Sequence, residues 1–204
     1  MARHHESQWN QLGRWTGIRD VSLTEYGLQK SKEMGKLLDG AKIDRAFSSG
    51  QKRAIESLSA MLSVRESRNV PVAQALALNE RDYGEYTGKN KWEMEELLGE
   101  KKFKEVRRGW NCPIPGGETL KQVYERSVPY FLDTILPRVA EGESVLLVAH
   151  GNSLRVLLKY IENISDENIA NVEFPFGAIV IYDLDDAGRM IKKETMKVES
   201  SVPA

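Results

Sequence analysis

Cysteine is nearly absent from this sequence: Cys112 stands alone, which excludes an internal disulfide and fits a reducing compartment. Histidine is scarce too, with only His4, His5 and His150. There is no recognisable secretory leader, no apolar run long enough to span a bilayer and no internal repeat. Neither sign of charge dominates, since 29 basic and 30 acidic residues leave a net charge of -1 and nothing global that addresses nucleic acid or a membrane. Basic residues do gather at Lys101, Lys102, Lys104, Arg107 and Arg108, but acidic residues precede them, and on charge alone the stretch reads as a solvated helix face. What is present is 204 residues of ordinary globular composition, 41% hydrophobic and 29% charged. That is enough for a single domain over 1–204 with a sizeable core, expected in the cytoplasm.

The most informative stretch is Ser144-Val-Leu-Leu-Val-Ala-His150. An apolar run without polar alternation is the pattern of a strand buried on both faces of a parallel sheet, and His150 stands where it ends. A helical pattern follows through Leu154, Leu157, Leu158 and Ile161, so the free N–H groups of a helix start lie beside His150. At the other end of the chain, Arg3-His4-His5-Glu6 comes after two residues, too few for a strand, and reads as a frayed terminus.

Between these ends, strand and helix signals alternate. Residues 11–23 read as a loop, and Thr24 caps a helix to about residue 39 with Leu28, Ser31, Met34, Leu37 and Leu38 inward. Short strands are expected at Ile43 to Ser48 and from Val70, with a helix carrying Ala54, Ile55, Leu58, Met61 and Leu62 between them. The segment from about 80 to 115 breaks the alternation and reads as an inserted cap, with one helix opened by Asn90 and another bearing Phe103 and Val106. A Thr119–Gln122 capping box opens a long helix from Leu120 to Val139. Ala178 to Leu184 and Met190 onward form a hairpin, and 198–204 is a loose tail. The pattern predicts a three-layer α/β sandwich: a mostly parallel sheet with helices on both faces, an antiparallel C-terminal edge and an inserted helical cap.

Arg53 falls in the first turn of a helix, where a cation opposes the helix dipole. On helix rules alone it is an exposed side chain costing a few tenths of a kcal/mol, and a bound anion would reverse that penalty. If Arg3-His4 and His150 share one sheet edge with Arg53, they enclose a dianionic phosphoryl group, because guanidinium forks match phosphate oxygens and helix N–H groups add donors. A neutral imidazole in that field is a competent nucleophile toward phosphorus, and Glu80 is placed to exchange a proton with an oxygen.

The residues resemble a known family, the histidine phosphatase superfamily, and within it the bisphosphoglycerate-dependent phosphoglycerate mutases. Arg3-His4-His5-Glu6-Ser7-Gln8-Trp9-Asn10 resembles their RHGESxWN signature, and Trp15-Thr16-Gly17 through Leu23-Thr24 their FTGW-D-LS segment. Ser49 to Ala54 is similar to their second arginine motif, and Leu78-Asn-Glu80-Arg-Asp-Tyr83-Gly with Gly88-Lys-Asn-Lys91 to LNERxYG and GxNK. Arg107-Arg108 matches their paired arginines and Ala149 to Arg155 their AHGNSLR. The resemblance implies that His4 is phosphorylated, that Glu80 donates and accepts the proton, and that Arg3, Arg53, His150 and Asn152 hold the transferring group. It implies substrate contacts from Ser7, Asn10, Thr16, Gly17, Tyr83, Lys91, Arg107 and Arg108. The implied reaction interconverts 3-phosphoglycerate and 2-phosphoglycerate, with 2,3-bisphosphoglycerate as primer and intermediate and no metal. The expected partner is thus a small phosphorylated three-carbon acid, and the expected assembly a monomer or homodimer.

Two departures stand out. His5 replaces the signature glycine, which implies strain if the backbone there has positive φ and an imidazole that crowds the pocket. Only Met1-Ala2 precede the signature, where the family has a central strand, which implies two exposed strand edges and lower stability. The alternatives are a phosphatase of the same superfamily acting on small phosphate monoesters, favoured by the PGGES-like Pro115 to Thr119, and a phosphate-binding pseudoenzyme. A metal hydrolase built on His4, His5 and Glu6 is disfavoured because adjacent residues on an extended segment point apart.

Overall fold

The computed structural model describes residues 1–65 and 69–199. Its six strands are β1 (Ala2–Arg3), β2 (Arg45–Ser49), β3 (Val72–Ala75), β4 (Val145–Ala149), β5 (Ala178–Leu184) and β6 (Met190–Lys197). They form one sheet in the order β3-β2-β4-β1-β5-β6, in which the first four run parallel and β5 and β6 are antiparallel. Alternate residues of a strand face opposite sides, and in β4 both sets are apolar. Leu146 and Val148 join Ala2, Ala46, Met34, Leu58 and Met61 in one core layer. Leu147 and Ala149 join Phe47, Val128, Phe131, Leu154 and Leu157 in the other.

The helices are α1 (Gln8–Gln11), α2 (Glu25–Leu37), α3 (Lys52–Ser63), α4 (Lys91–Leu98), α5 (Glu100–Arg108), α6 (Leu120–Tyr130), α7 (Leu136–Ala140) and α8 (Gly151–Ile161). The starts of α2, α4 and α6 follow from side-chain caps on otherwise unpaired N–H groups. Thr24 Oγ1 accepts from Gly27 N–H at 3.0 Å, and Asn90 Oδ1 accepts from the N–H groups of Trp92 and Glu93. Thr119 and Gln122 cap each other reciprocally. α4 and α5 lie in the segment expected as a cap and have their own small core of Trp15, Tyr83, Met94, Phe103, Val106 and Ile114.

Several expectations are corrected. Leu28 is exposed on α2, and Gly27, Gly35 and Ser31 share the inward face with Met34, because α2 approaches its neighbours closely: a Cβ on Gly27 would lie 2.1 Å from the Glu6 carbonyl. The long helix opens into a π turn at Phe131–Ile135 between α6 and α7. Pro137 has no N–H to give to the carbonyl four residues back, which interrupts the regular ladder there. The segment 11–23 begins inside α1. Val198 is buried and donates its N–H to Gly177 O at 3.0 Å, so the tail is anchored at its start. Residues 200–204 lie outside the described residues.

The largest correction concerns the N-terminus. Ala2–Arg3 is a strand, and it is central: Ala2 pairs with Val148 of β4 and Ile179 of β5. Two residues suffice because the neighbouring strands supply ready ladders on both sides, with Met1 N donating to Val180 O at 2.7 Å and Val180 N to Met1 O at 2.8 Å. Where β1 stops, a cleft of about 500 Å³ separates β4 from β5. Its walls include Val145, Leu147 and Ile181, with Phe131, Ile135 and Val139 from one helical layer and Leu38 and Ile43 from the other. The register continues past Met1 opposite Leu146 and Ile181, so the cleft has the shape of further strand. Adding three apolar, β-branched residues ahead of Met1 should stabilise the fold by roughly 1–3 kcal/mol after the cost of ordering them. At about 2–4 °C per kcal/mol for a chain of this size, Tm by calorimetry should rise by several degrees. An unchanged or lower Tm would show that the cleft does not accept strand.

Candidate active site

The carboxyl ends of β1, β2 and β4 deliver Arg3-His4, Ser49 and Ala149-His150 to one edge of the sheet, and α8 starts there at Gly151. This is the edge at which α/β sheets bind ligands. His4 continues the ladder through its N–H to Ala149 O at 2.9 Å. Its ring lies 4.9 Å from that of His150, and both residues are buried.

His4 Nδ1 lies 2.6 Å from the His5 carbonyl oxygen. A carbonyl only accepts, so Nδ1 carries the proton and Nε2 keeps its lone pair. Burial, aided by Arg53 and Arg3, holds the His4 pKa well below the ordinary imidazole range, so the ring is neutral at pH 7. Burial also lowers His150, with Arg53 adding to the effect. His150 Nε2 is hydrogen-bonded to Ser49 Oγ at 2.6 Å, and its buried Nδ1 has no partner among the described residues.

The pocket around these rings is lined by Arg3, His4, Asn10, Arg14, Thr16, Gly17, Arg53, Glu80, Tyr83, Lys91, Arg107, Arg108, Asn152 and Arg155, with Trp15, Gly151 and Phe174 between them. Seven of these residues are cationic and only Glu80 is acidic. The buried arginines are held largely by backbone carbonyls. Arg53 donates to Gly17 O and Arg19 O, each at 2.8 Å, and is 1% exposed, which corrects the expectation of a solvated side chain. Arg3 donates to Phe174 O at 2.9 Å and lies 3.6 Å over the Phe176 ring, while its buried Nε has no partner among the described residues. Burial lowers Arg3 and Arg53 to about 10 and Arg155 to about 9. Lys91 falls to about 8, through burial first and then Arg107 and Arg3.

Glu80 is fixed at several points. Its Oε1 accepts from Arg81 N–H at 2.8 Å and Asn152 N–H at 3.2 Å, which leaves Oε2 toward the cleft. Arg126 donates to the Glu80 carbonyl at 3.1 Å and is itself held by both oxygens of Glu118. Tyr83 stacks on Trp15 at 5.4 Å, and its hydroxyl accepts from Asn152 Nδ2 at 3.1 Å. Arg107 and Arg108 reach the pocket because two buried arginines catch the carbonyls at the end of α5: Arg81 binds Val106 O, and Arg155 binds Arg108 O. Cations at that terminus also suit the helix dipole. Gly17 sits at φ +52, where a side chain would be strained, and turns its carbonyl toward Arg53.

Twelve of the residues singled out from the sequence thus line one pocket, and His150 lies just behind His4. Ser7 does not line it: its hydroxyl donates to Asn10 Oδ1 at 2.8 Å, which turns the Asn10 amide group toward the cleft. His5 lies outside as well. Its φ is not positive, its Nδ1 accepts from Glu6 N–H at 2.8 Å, and its ring packs between Tyr26 and Phe176, so it neither strains the backbone nor crowds the cleft. Arg14, Arg155, Trp15 and Phe174 complete the lining without having been assigned a role from sequence. Of these, Arg155 and Trp15 lie within the recognised motifs, whereas Phe174 had no local signal.

Two imidazoles at the end of a parallel sheet, in a pocket of carbonyl-held arginines, define an α/β protein with a built anion site. The family model of the histidine phosphatase superfamily, branch 1, matches residues 1–196, and the chain belongs to that superfamily. A 2,3-bisphosphoglycerate-dependent phosphoglycerate mutase of Parvibaculum lavamentivorans is 40% identical over 198 residues, covering 96% of this chain and 94% of that one. One of Nitrobacter hamburgensis is 43% identical over 187 residues, covering 91% and 90%. Among solved structures, Bacillus stearothermophilus YhfR has a TM-score of 0.80 at 26% identity, covering 93% of this chain and 91% of that one. The α-ribazole phosphatase of Shigella flexneri shares the fold, with a TM-score of 0.75 at 22% identity and coverage of 94% and 92%.

The buried histidines give the fold a pH dependence. An unfolded chain protonates them near pH ~6.5, whereas the folded chain protonates them only at lower pH, His5 at about 4. Below pH ~6.5 the unfolded state therefore binds more protons, so stability is full above that pH and is lost as the pH falls. Urea midpoints should drop between pH 7.5 and 5.5, before most carboxylates titrate; equal midpoints would contradict the neutral burial of these rings.

Proposed function

We propose that this chain is a phosphoglycerate mutase, interconverting 3-phosphoglycerate and 2-phosphoglycerate through a phosphohistidine on His4 and a 2,3-bisphosphoglycerate intermediate. The observation that carries this reading is a neutral, tautomer-locked imidazole in a pocket whose cations extend beyond one phosphoryl group. Arg3, Arg53 and His150 surround the His4 end, while Lys91, Arg107 and Arg108 line the same cavity. A monoester hydrolase needs the first group of cations. A mutase needs the second as well, to keep a bisphosphorylated acid bound while it turns round.

In this reading, His4 Nε2 attacks phosphorus as the P–O bond breaks, and Glu80 Oε2 gives a proton to the departing oxygen. In the reverse half, Glu80 takes the proton of the attacking hydroxyl and the N–P bond breaks. Arg3 and Arg53 offset charge on the phosphoryl oxygens, and Arg3 Nε and His150 Nδ1, without a partner among the described residues, are the donors assigned to them in this reading. That role for His150 requires its proton on Nδ1, the tautomer obtained when Ser49 donates to Nε2. Asn10, Thr16, Gly17, Tyr83 and Asn152 shape the walls, and Ser7 acts through Asn10. Bisphosphoglycerate fits as primer because seven cationic side chains and a single carboxylate line the pocket, an excess of positive charge that favours a ligand with more than one anionic group.

With 3-phosphoglycerate and catalytic 2,3-bisphosphoglycerate in EDTA, 2-phosphoglycerate should form much faster than inorganic phosphate. Phosphate release that outruns isomer formation would favour the hydrolase. His4→Ala should lower turnover by at least ~10³-fold. Because Lys91 is protonated only below about 8, KM for 3-phosphoglycerate should rise as the pH passes that value. Lys91→Met should raise KM and abolish the rise; a KM flat with pH in the parent would show that Lys91 does not bind the substrate anion.

A further inference from the structure

Gln51 lies between β2 and α3, is 3% exposed, and does not line the pocket. Its buried amide is nonetheless bonded at both ends: Nε2 donates to Gly17 O at 3.0 Å, and Oε1 accepts from Glu80 N–H at 2.8 Å. Its own N–H donates to Ser49 Oγ at 3.2 Å, the hydroxyl that also holds His150. One side chain therefore braces the Gly17 wall against the Glu80 wall, in the turn that anchors the second histidine.

We infer that Gln51 is a positioning residue that sets the direction of the Glu80 carboxylate for proton transfer. This inference rests on the mutase reading above. The two ends of the brace are not equivalent. Gly17 O also accepts from Arg53 Nη2, so it keeps a charged donor if Gln51 is lost. The Glu80 N–H has Gln51 as its acceptor, and losing it leaves a half-buried donor of the proton-transferring residue without that partner. The Glu80 carbonyl stays on Arg126, so the freed peptide pivots about that end and carries Oε2 with it. Phosphoryl transfer through His4 needs Oε2 within hydrogen-bond reach of the leaving or attacking oxygen, and small displacements at such a group cost rate rather than binding. Lys91, Arg107 and Arg108 stand on α4 and α5, away from the brace, so ground-state binding is spared.

The test compares Gln51→Met, which keeps length and volume without polar atoms, with Gln51→Glu, which keeps an acceptor for the Glu80 N–H. Gln51→Met should lower kcat for 2-phosphoglycerate formation about tenfold and leave KM within twofold, with circular dichroism unchanged. Gln51→Glu should recover most of the lost kcat. Amide exchange at Glu80, read by NMR, should accelerate at least tenfold in Gln51→Met and stay slow in Gln51→Glu. A folded Gln51→Met with parental kcat and parental Glu80 amide exchange, or with its whole defect in KM, overturns the assignment. If the parent itself forms no 2-phosphoglycerate, the mutase reading fails, and amide exchange still reports whether Gln51 holds Glu80.

Discussion

The hydrogen bond from His4 Nδ1 to the His5 carbonyl determines which nitrogen of the buried ring can react, and it forms where the chain leaves the short central strand. His4 follows a strand of two residues that is ordered by neighbours on both sides, with its own N–H on Ala149 O and Met1 bonded to Val180. If that short central strand slipped by one residue, every side chain on it would change face, and Arg3 and His4 would exchange places. The chemistry proposed for the pocket therefore depends on main-chain pairing more than on any side-chain contact within it.

A second constraint is electrostatic. Burying arginines among carboxylates would have quenched the field that an anionic ligand needs, whereas burying them with no partner would be prohibitive. Carbonyl oxygens resolve the conflict. Arg53, Arg155 and Arg81 donate to backbone carbonyls at Gly17, Arg19, Val172, Ile169 and Val106, which leaves their net charge intact. Burial, reinforced by that field, keeps His4 and His150 neutral, so one arrangement supplies both an uncharged nucleophile and a positive surround. The turn from Ser49 to Arg53 concentrates this design, with Ser49 directed to His150, Gln51 to Glu80 and Arg53 to Gly17.

Much of this was legible in the residues. The unbroken apolar run of β4 announced a doubly buried parallel strand, and the caps at Thr24, Asn90 and Thr119 marked helix starts that recur in the structure within a residue or so. β1 was not legible, because its strand character comes from partners far away in sequence and not from its own two residues. Leu28 misled because helical periodicity ranks apolar residues above glycine, whereas close packing put Gly27 and Gly35 inward. Gln51 lies inside the Ser49 to Ala54 motif but had no role assigned there, since a buried glutamine bridging two distant loops has no local pattern. His5 looked disruptive from its position in a motif, yet its ring has a place between Tyr26 and Phe176.

The central claim is that His4 Nε2 accepts the phosphoryl group. Protein carrying ¹⁵N-labelled histidine, treated with 2,3-bisphosphoglycerate and observed by ³¹P–¹⁵N correlated NMR, tests it directly. The account predicts one acid-labile phosphorus coupled to Nε2 of His4, absent in His4→Ala. Phosphorus on Nδ1, on His150 or on no histidine at all would contradict it.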